Sequence, residues 1–261
     1  MSAHCAFTAS QIADFHRDGF VIVEGLLNAD EVGLLGKIAR ADHQMQQSAA
    51  SRADGEGGAI RLVVENTVTD DIYGAIVRSQ RIVQPMEQVL ADEVYHYHHK
   101  MILKEALTGG AWAWHQDYGY WYNNGCLFPD MASCLIAVDR ATRENGCLQV
   151  LKGSHLMGRL EHGKVGDQTG ADPERVAAAC QRMELVYCEM EPGSAVFFHG
   201  NLLHRSDQNK SPNPRWALIC CYNSKHNDPY KESKHPRYTP LEKLADEKVL
   251  EIAQRDWARS N

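Results

Sequence analysis

The chain has 261 residues, of which 44% are hydrophobic and 23% charged, a composition typical of a globular protein that can bury a sizeable core. Its formal net charge of −7 gives no electrostatic reason to expect a nucleic acid or an anionic membrane as a partner. No apolar run approaches the roughly 18 residues that span a bilayer, and the first residues do not resemble a secretory signal. The eight cysteines include no CxxC pair, which favours reduced thiols and a cytoplasmic protein.

The first part of the chain, from about residue 8 to 92, is predicted to be mainly helical. Residues 8–11 resemble a capping box, in which a threonine and a later glutamine satisfy each other's backbone N–H groups. Apolar residues at helical spacing predict three helices, over about 8–18, 28–47 and 69–91. Residues 20–23 are typical of a short strand, and residues 51–58, rich in Gly, Ser and Asp, are typical of a flexible loop.

From residue 94 the pattern changes to short apolar runs separated by turn residues. These runs predict strands over 95–103, 111–117, 132–138, 146–151, 185–189, 195–199 and 216–223. Many short strands indicate a β sandwich over about 94–225, with the helices packed on one outer face. The fold class is therefore mainly β with flanking α-helices.

The stretch 158–183 interrupts the strands with a polar segment and a predicted helix, and an insertion of this length is expected to form a lid over a pocket. A final helix is predicted over about 240–257, with a threonine and a proline as N-cap and first helical residue. Because the chain shows no repeat, low-complexity tract or obvious linker, we expect one domain over 1–261.

A candidate metal site begins at His115 and Asp117. Alternate residues of an extended strand share a face, so these two side chains project together while Gln116 points away. His204, just beyond a predicted buried strand, supplies a third ligand from a distant part of the chain. Two imidazoles and one carboxylate leave the opposite face of a metal open, which suits a non-haem Fe(II) enzyme that binds an organic cosubstrate and O2. A zinc hydrolase with a metal-bound water is the alternative.

Arg215 follows the second histidine at a distance that lets a returning strand bring its guanidinium toward the metal. Its planar set of donors matches a carboxylate. Hydrolysis does not need a buried carboxylate clamp, so Arg215 favours iron over zinc. If Arg215 faces inward, strand parity places Asn223 on the same face, where its amide is a candidate to hydrogen-bond a substrate.

Six short segments together resemble the phytanoyl-CoA dioxygenase superfamily of Fe(II)/2-oxoglutarate oxygenases. They lie at 114–117 (WHQD), 144–148 (ENGCL), 152–155 (KGSH), 191–194 (EPGS), 204–206 (HRS) and Arg215. The resemblance is closest to the phytanoyl-CoA dioxygenase domain-containing subgroup, and with the N-terminal helices it covers nearly the whole chain. It implies a double-stranded β-helix core, the jelly roll also called cupin-like, in which His115, Asp117 and His204 bind Fe(II).

The same resemblance implies 2-oxoglutarate and O2 as cosubstrates. It places the distal carboxylate of 2-oxoglutarate against Arg215 and Ser206. By similarity, Met101 and Arg61 occupy further cosubstrate-contact positions, although the family commonly has lysine at the position of Arg61. Related halogenases place a small residue at the position of Asp117 to admit chloride, so the aspartate disfavours halogenation.

Several residues near the predicted metal site are candidates for contacts with a small-molecule substrate. The aromatic residues after the HxD motif are expected to form a pocket wall or a cage for a cationic group, with ordinary packing as the alternative. Polar groups of the lid-like stretch can recognise an anionic or polyhydroxylated substrate, with a solvated loop as the alternative. The candidates are Tyr118, Tyr120, Trp121, Arg159, His162, Lys164, Asp167, Gln168 and Asn223.

The leading hypothesis is a dioxygenase that hydroxylates an unactivated C–H bond of a small polar metabolite and releases succinate and CO2. A non-catalytic jelly-roll protein that binds or senses a metal or small molecule is an alternative from another class, and a zinc hydrolase is a third. Desaturation or oxidative ring closure can follow the same hydrogen abstraction. The sequence predicts neither the substrate nor the oligomeric state.

Overall fold

A computed structural model describes residues 6–54, 57–165 and 168–260. Asp167, a candidate of the lid-like stretch, lies outside these ranges. The helices are α1 (Ala9–Asp18), α2 (Ala29–Ala41), α3 (His43–Ser48), α4 (Ile72–Arg78), α5 (Gln80–Leu90), α6 (Asp117–Trp121), α7 (Pro173–Cys180) and α8 (Glu247–Ser260). The strands are β1 (Phe20–Val23), β2 (Ala50–Ala53), β3 (Ala59–Glu65), β4 (Val94–Lys104), β5 (Trp112–His115), β6 (Met131–Ala137), β7 (Leu148–Leu151), β8 (His162–Val165), β9 (Gln168–Ala171), β10 (Leu185–Cys188), β11 (Ala195–His199), β12 (His204–Ser206) and β13 (Arg215–Ser224).

The strands form two facing sheets and a hairpin. The larger sheet has seven strands in the order β1-β11-β6-β13-β4-β3-β2, and the smaller has four in the order β10-β7-β12-β5. Strands β8 and β9 pair with each other. Strands far apart in the chain are neighbours in both sheets, as in a jelly roll. The predicted class, mainly β with flanking helices around a jelly-roll core, is confirmed.

The two faces of the larger sheet have different partners. Its outer face packs against helices, with Phe15, Leu35, Ile76, Ile82 and Val249 in one buried cluster with strand residues. Its inner face packs against the smaller sheet through a second cluster, to which Leu135, Leu148 and Phe198 belong. Alternation along each strand therefore decides whether a side chain meets the helices or the space between the sheets.

The N-terminal part contains more breaks than predicted. The helix expected over 28–47 is divided at Asp42, whose carboxylate accepts the Met45 N–H at 2.8 Å and caps α3. The helix expected over 69–91 is divided at Ser79, which has extended dihedral angles. Part of the expected loop 51–58 is the edge strand β2, which pairs with β3. The residues of β2 are all exposed, so no apolar alternation marks the strand in the sequence.

The last helix begins at Glu247, seven residues later than predicted. The segment before α8 is held by backbone hydrogen bonds to the α4–α5 junction, where the Leu244 N–H donates to the Arg78 carbonyl at 2.8 Å. Arg81 also donates to the carbonyl of Asp246 at 2.7 Å. These tertiary hydrogen bonds override the local signal of a threonine followed by a proline.

The predicted lid-like stretch is an ordered hairpin followed by a helix. Strands β8 and β9 form the hairpin, and α7 follows, capped by Asp172, whose carboxylate accepts the Arg175 N–H at 2.9 Å. Val176 and Ala179 of α7 pack into a buried cluster with Leu203. The movement of this stretch as a lid stays a prediction. Among the described helices, none combines the length and apolar character needed to cross a bilayer.

Buried histidines are expected to make the protein acid-sensitive. Burial, and then the neighbouring His99, lower the pKa of His96 to about 3; burial, and then His155, lower that of His199 to about 3. Below pH 6.5 the unfolded chain binds protons that the folded chain does not, so stability falls as the pH falls toward 3. We expect a loss of about 1.4 kcal/mol per pH unit for each histidine.

Urea unfolding of the metal-free protein at pH 7.5, 6.0 and 5.0 tests this expectation. His96 and His199 should contribute little change to the free energy of unfolding above pH 7. Below pH 6 the free energy of unfolding should fall. A free energy of unfolding that is constant from pH 7 to 5 would contradict it.

Candidate active site

His115 and His204 face each other in the smaller sheet. His115 ends β5, His204 begins β12, and the two are direct partners in the antiparallel register. Their ring centroids lie 4.1 Å apart, and both side chains are buried. Nδ1 of His115 lies 2.8 Å from the Ala113 carbonyl, and Nδ1 of His204 lies 2.9 Å from the Leu202 carbonyl. Since a carbonyl only accepts, we assign the proton to Nδ1 of each ring, which leaves the Nε2 lone pair for a metal.

Asp117 does not belong to β5, as the sequence predicts, but is the first residue of α6. The strand ends at His115, and Gln116 has extended dihedral angles, φ −111° and ψ 133°, before the chain turns into the helix. One extended residue is enough to bring the flanking side chains to the same side. Ligand atoms of His115, Asp117 and His204 all lie within 4.8 Å of one another, so the three can hold one metal ion.

The turn between the two ligands is fixed by a buried network. Gln116 Nε2 donates to the carbonyls of Gly158 and Asn201, each at 2.8 Å, and Oε1 accepts the Leu160 N–H at 2.7 Å. Nε2 of His162 accepts the backbone N–H of Gln116 at 3.0 Å. His162 therefore positions the ligand-bearing turn, and its expected contact with a substrate stays a prediction.

The charge states of the three side chains suit a metal at neutral pH. Burial, and then the nearby His204, lower the pKa of His115 to about 3, and burial also lowers the pKa of His204. Burial raises the pKa of Asp117, but the positive charge of Lys100 and the neighbouring imidazoles bring it below its ordinary value. Neutral imidazoles and an ionised carboxylate therefore need lose no proton before they bind a metal.

Two side chains from the larger sheet contact the carboxylate of Asp117. Lys100 Nζ lies 3.5 Å from Oδ1, and the Ser133 hydroxyl donates to Oδ2 at 3.3 Å. Both residues lie on the inner face, where Lys100 is opposite Ile219 and Ser133 is opposite Cys221. These contacts orient the carboxylate toward the histidines.

Arg215 lies in the same cavity and is 3% exposed. Its Nη2 donates to the Gly146 carbonyl at 2.8 Å, and its buried Nε has no hydrogen-bond partner. Lys104 is opposite Arg215 in the register and donates from Nζ to the Ser206 hydroxyl at 2.9 Å and to the Asp207 carbonyl. Burial lowers the pKa of Arg215 to about 10. A guanidinium with an unsatisfied N–H beside a second amine and a hydroxyl fits an anionic oxygen ligand.

The ENGCL segment shapes this cationic end of the cavity. Gly146 has φ +75°, and a Cβ there would lie 2.2 Å from the Asp207 carbonyl oxygen and 2.9 Å from Lys104 Nζ. Asn145 is buried and accepts the Thr142 N–H at 2.8 Å, which closes the turn. The glycine therefore lets the chain approach Lys104 while its carbonyl receives the Arg215 hydrogen bond.

Met101 and Arg61 do not line this cavity, so their assignment as cosubstrate contacts is corrected. Met101 is on the opposite face of β4 from Lys100, in the cluster packed against the helices. Arg61 forms an ion pair of 3.6 Å with Glu105 and donates to the Gln46 carbonyl at 3.2 Å. The physical reason is strand parity, because one position along a strand reverses the face.

Two of the candidate substrate contacts are structural. The Tyr118 hydroxyl donates to the Cys126 carbonyl at 3.1 Å inside a buried aromatic cluster. Asn223 shares the inward-facing side of its strand but donates from Nδ2 to the Tyr95 hydroxyl and the Asn227 carbonyl, each at 2.9 Å. Because its amide is already satisfied, Asn223 is not free to bind a substrate.

Tyr120 and Trp121 lie nearer the metal ligands. The Tyr120 ring is 5.7 Å from that of His115, and its hydroxyl donates to the Thr169 carbonyl at 2.7 Å. Lys100 Nζ lies 5.8 Å from the centroid of the Trp121 ring. The aromatic segment is thus a short helix beside the site.

The charged residues of the β8–β9 stretch point elsewhere. Arg159 lies over the Tyr122 ring at 4.5 Å and pairs with Glu161 at 3.2 Å. Lys164 is exposed on β8. Gln168 accepts the Ala113 N–H at 3.0 Å and therefore ties the hairpin to β5. None of these lines the cavity beside the metal ligands among the residues that the structure describes.

The cavity between the sheets joins the predicted ligands to residues that the sequence reasoning missed. Its described lining comprises Lys100, Ile102, Trp112, His115, Asp117, Leu135, Leu148, Phe198, His204, Arg205, Ser206, Arg215 and Ile219. Lys100 and its near neighbour Lys104 were missed. Both lie in an otherwise buried strand with three residues between them, so strand parity was an available signal that they share one face.

A buried cluster of two neutral imidazoles and a carboxylate, beside an arginine with an unsatisfied N–H, has the form of a non-haem iron, 2-oxoglutarate-dependent dioxygenase site. The comparison with known families narrows this class. The family model described as Phytanoyl-CoA dioxygenase (PhyH) matches residues 15–217, and the chain belongs to this family. It is an enzyme that uses Fe(II), 2-oxoglutarate and O2.

Individual relatives agree with this membership. An ectoine dioxygenase of Bordetella bronchiseptica is 29% identical over 249 residues, covering 89% of this chain and 81% of the relative. An L-proline trans-4-hydroxylase of Streptomyces griseoviridis is 29% identical over 243 residues, covering 87% and 89%. The crystal structure of EctD from S. alaskensis in its apoform has a TM-score of 0.79 at 25% identity, covering 94% of this chain and 90% of that chain.

The contact between Ser133 and Asp117 gives a testable expectation. Removing the hydroxyl by Ser133→Ala takes away a hydrogen bond that orients the carboxylate, and loss of such a contact costs about 10- to 100-fold in metal affinity or activity. Iron retention after dialysis and the rate of succinate formation measure the effect. Ser211→Ala, a change of a buried serine whose hydroxyl bonds only to Asn209 and Asn213 of its own loop, is the matched control. Equal iron retention and equal rates of succinate formation in the two variants would show that the Ser133 hydroxyl does not help to orient Asp117.

Proposed function

We propose that this enzyme hydroxylates a C–H bond of a small polar metabolite, with iron held by His115, Asp117 and His204. The observation that carries the proposal is that this cluster and the unsatisfied guanidinium of Arg215 open into one cavity. An iron site alone is compatible with several reactions. An iron site with a separate, buried carboxylate clamp is suited to a carboxylate cosubstrate bound beside the metal.

In this proposal the three ligands each have a defined part. Nε2 of His115 and Nε2 of His204 donate lone pairs, and their Nδ1–H groups stay bonded to backbone carbonyls. Asp117 supplies the negative charge, with Lys100 and Ser133 limiting its rotation. When bound, iron with 2-oxoglutarate supplies the activation of O2 and the oxidising power for C–H cleavage. The chain itself positions the ligands and keeps one side of the metal open.

Arg215, Ser206 and Lys104 are proposed to bind the distal carboxylate of 2-oxoglutarate. Arg215 offers the unpartnered Nε–H, and the Ser206 hydroxyl is held in place by Lys104 at 2.9 Å. The clamp is buried, so its hydrogen bonds to an anion are stronger than they would be in water. The cationic clamp thereby fixes the cosubstrate relative to the metal.

Apolar side chains make up much of the remaining wall. They are Ile102, Trp112, Leu135, Leu148, Phe198 and Ile219. Such a wall limits the access of water to the reacting groups. It also gives the apolar part of a substrate a surface to pack against.

The relatives support the metabolite class. One is named an ectoine dioxygenase and another an L-proline trans-4-hydroxylase, and both names denote oxidation of a small polar molecule. Both relatives align with this chain over most of their own length. We therefore propose a small polar metabolite for this chain, without transferring either named substrate to it.

The test is formation of succinate by the purified, iron-loaded protein. We expect succinate to form only when Fe(II), 2-oxoglutarate and O2 are all present, and to form faster with a panel that includes L-proline and other small polar metabolites. Mass spectrometry should find a product heavier by one oxygen atom. The His204→Ala protein is the control for metal contamination.

Two outcomes would overturn the proposal. Iron and 2-oxoglutarate binding without succinate, coupled or uncoupled, would favour the non-catalytic binding protein. Turnover that survives without O2 and 2-oxoglutarate would favour hydrolysis.

A further inference from the structure

We infer that the outer face of the larger sheet carries a second ligand site, which takes a small organic cation with an alkyl chain. The site is a cavity between that sheet and the helices, here called the outer cavity, with a volume of about 280 Å³. Ligand pockets begin at about 300 Å³, so the outer cavity suits a small molecule. Its described lining comprises Asp42, Gln44, Met45, Ser48, Val63, Glu65, Thr69, Asp71, Tyr73, His99, Met101 and Leu218. None of these lines the cavity beside the metal ligands, so the outer site is independent of the proposed function.

Apolar side chains of three neighbouring strands form the floor of the outer cavity. Met101 of β4 lies opposite Val63 of β3 and opposite Leu218 of β13 in the register. Lys100, the next residue on β4, faces the cavity beside the metal ligands instead. The floor is thus the reverse side of that cavity's wall, and it offers methylene groups of a ligand a surface away from water.

Three carboxylates line the outer cavity without a balancing cation. Asp42 caps α3, Asp71 caps α4, and Glu65 ends β3. Among the described residues, none of the three forms an ion pair with a lysine or an arginine, and the described lining contains neither residue type. The buried Glu31, by contrast, pairs with Arg81 at 2.8 Å. Like charges in a partly buried cavity repel one another, so a cation bound there is stabilising.

The contacts that these carboxylates make within the fold leave oxygens free for a ligand. Oδ1 of Asp42 accepts the Met45 N–H at 2.8 Å, and Oε1 of Glu65 accepts both the N–H of Thr67 at 2.8 Å and its hydroxyl at 2.6 Å. The hydrogen bond from the Thr67 hydroxyl keeps the pKa of Glu65 below its ordinary value. The second oxygen of Asp42 and of Glu65 has no hydrogen bond within the described part of the chain. A carboxylate only accepts, so a ligand that satisfies both must supply N–H donors.

A second observation, independent of the carboxylates, points to a ligand. His99 lines the outer cavity and is 5% exposed; its Nδ1 lies 3.1 Å from Nε2 of His96, and its own Nε2 has no hydrogen bond to any described residue. The ring stacks on that of Tyr73, with centroids 6.4 Å apart, and the buried Tyr73 hydroxyl also has no partner. Burial lowers the pKa of His99, so the imidazole is neutral at pH 7 and does not balance the carboxylates. Unsatisfied polar atoms on an aromatic wall suit a cation with N–H groups.

The spacing of the acceptors favours an organic cation over a metal ion. In the described part of the chain, the three proposed iron ligands are the only group of three whose ligand atoms lie within 4.8 Å of one another. The carboxylates of the outer cavity and His99 therefore do not close around one ion. A molecule with two cationic ends reaches separate carboxylates while its methylene groups pack on the apolar floor. A linear diamine or an aminoalkyl guanidine has this form.

The experiment compares two amines with a neutral molecule of the same length. Putrescine, agmatine and 1,4-butanediol are titrated calorimetrically into the metal-free protein at low salt, where charge interactions are least screened. We expect one amine molecule to bind per chain, at least about tenfold more tightly than the diol, because the diol lacks the charge. The measurement uses the unmodified protein and needs neither iron nor turnover.

Three variants locate the bound amine. Asp42→Asn and Glu65→Gln remove a charge but keep an oxygen that accepts the same hydrogen bonds, and asparagine caps a helix as well as aspartate does. Each is expected to weaken amine binding by about tenfold, the effect of a lost hydrogen bond to a charged group. Glu174→Gln, at an exposed carboxylate of α7, is the matched control and should leave the affinity within about twofold.

Three results would overturn the outer site. The first is that neither amine binds more tightly than the diol, a comparison that needs no variant and so does not depend on how the variants fold. The second is that Asp42→Asn and Glu65→Gln both bind the amines as the wild-type protein does. The third is that Glu174→Gln weakens binding as much as they do, which would reveal general attraction to an acidic protein. None of these results bears on succinate formation, so the oxygenase reaction is tested separately.

Discussion

Asp117→Asn is expected to lower iron affinity by at least about 100-fold and to abolish succinate formation. Contacts that only orient a ligand are worth about 10- to 100-fold, so loss of the charged ligand itself has at least the larger effect. The change keeps the size of the side chain and its place at the start of α6, so the fold around it is retained. It removes the one negative charge that balances the metal among the three proposed ligands. Iron content after dialysis and initial rates of succinate formation give the two measurements.

Asp14→Asn is the matched control for Asp117→Asn. Asp14 is a surface carboxylate that pairs with Arg17 on α1 at 2.7 Å, so its neutralisation should change neither iron content nor rate. Retention of iron at the wild-type level by the Asp117→Asn protein would show that the carboxylate is not a ligand. The histidine pair would then need another partner.

Arg215→Met is expected to raise the dissociation constant of 2-oxoglutarate by roughly 30-fold to several thousand-fold. Removal of one partner from a buried charged pair costs about 2–5 kcal/mol in binding. The iron content should be unchanged, because Arg215 belongs to the clamp and not to the metal cluster. Calorimetric titration of 2-oxoglutarate into the iron-loaded protein without O2 measures the change.

The unliganded protein offers a second measurement of the same variant. Arg215 is buried with an unsatisfied Nε, and it forms no ion pair with an acidic side chain among the described residues. Arg215→Met should therefore leave the unliganded protein at least as stable in urea, while stabilisation by added 2-oxoglutarate is lost. Arg61→Met is the control, since Arg61 is on the other face of the sheet. If Arg61→Met, and not Arg215→Met, weakens 2-oxoglutarate, the clamp is placed wrongly.

The proposed metal ligands could be predicted because they depend on a short-range rule. His115 and Asp117 are separated by one residue, and one extended residue brings both side chains to the same side whether the second belongs to a strand or to a helix. The prediction of a strand through Asp117 was therefore wrong about the element and right about the direction of the side chains. The ENGCL segment was likewise identified from the sequence, but the close approach of its glycine to Lys104 was not predicted.

The cavity wall could not be predicted to the same degree, because it depends on register. Met101 was expected at the site, but Lys100, one position earlier, is the residue that faces it. Strand parity says which residues share a face and does not say which face is inward. Strand β2 was missed for another reason, since its four residues are all exposed and show no apolar alternation. Tertiary hydrogen bonds, such as that between Leu244 and Arg78, explain the late start of α8.

The two histidines of the cluster are oriented by main-chain carbonyls, those of Ala113 and Leu202, whereas the carboxylate is oriented by the side chains of Lys100 and Ser133. A carbonyl persists through any replacement of the side chain beside it. Substitution of Ala113 or Leu202 therefore leaves the hydrogen bonds that orient the two imidazoles, whereas substitution of Lys100 or Ser133 removes a contact that orients the carboxylate. Substitutions that change the iron affinity while keeping the three ligands are therefore expected among the side chains around Asp117. A laboratory search for altered iron affinity or reactivity should begin there.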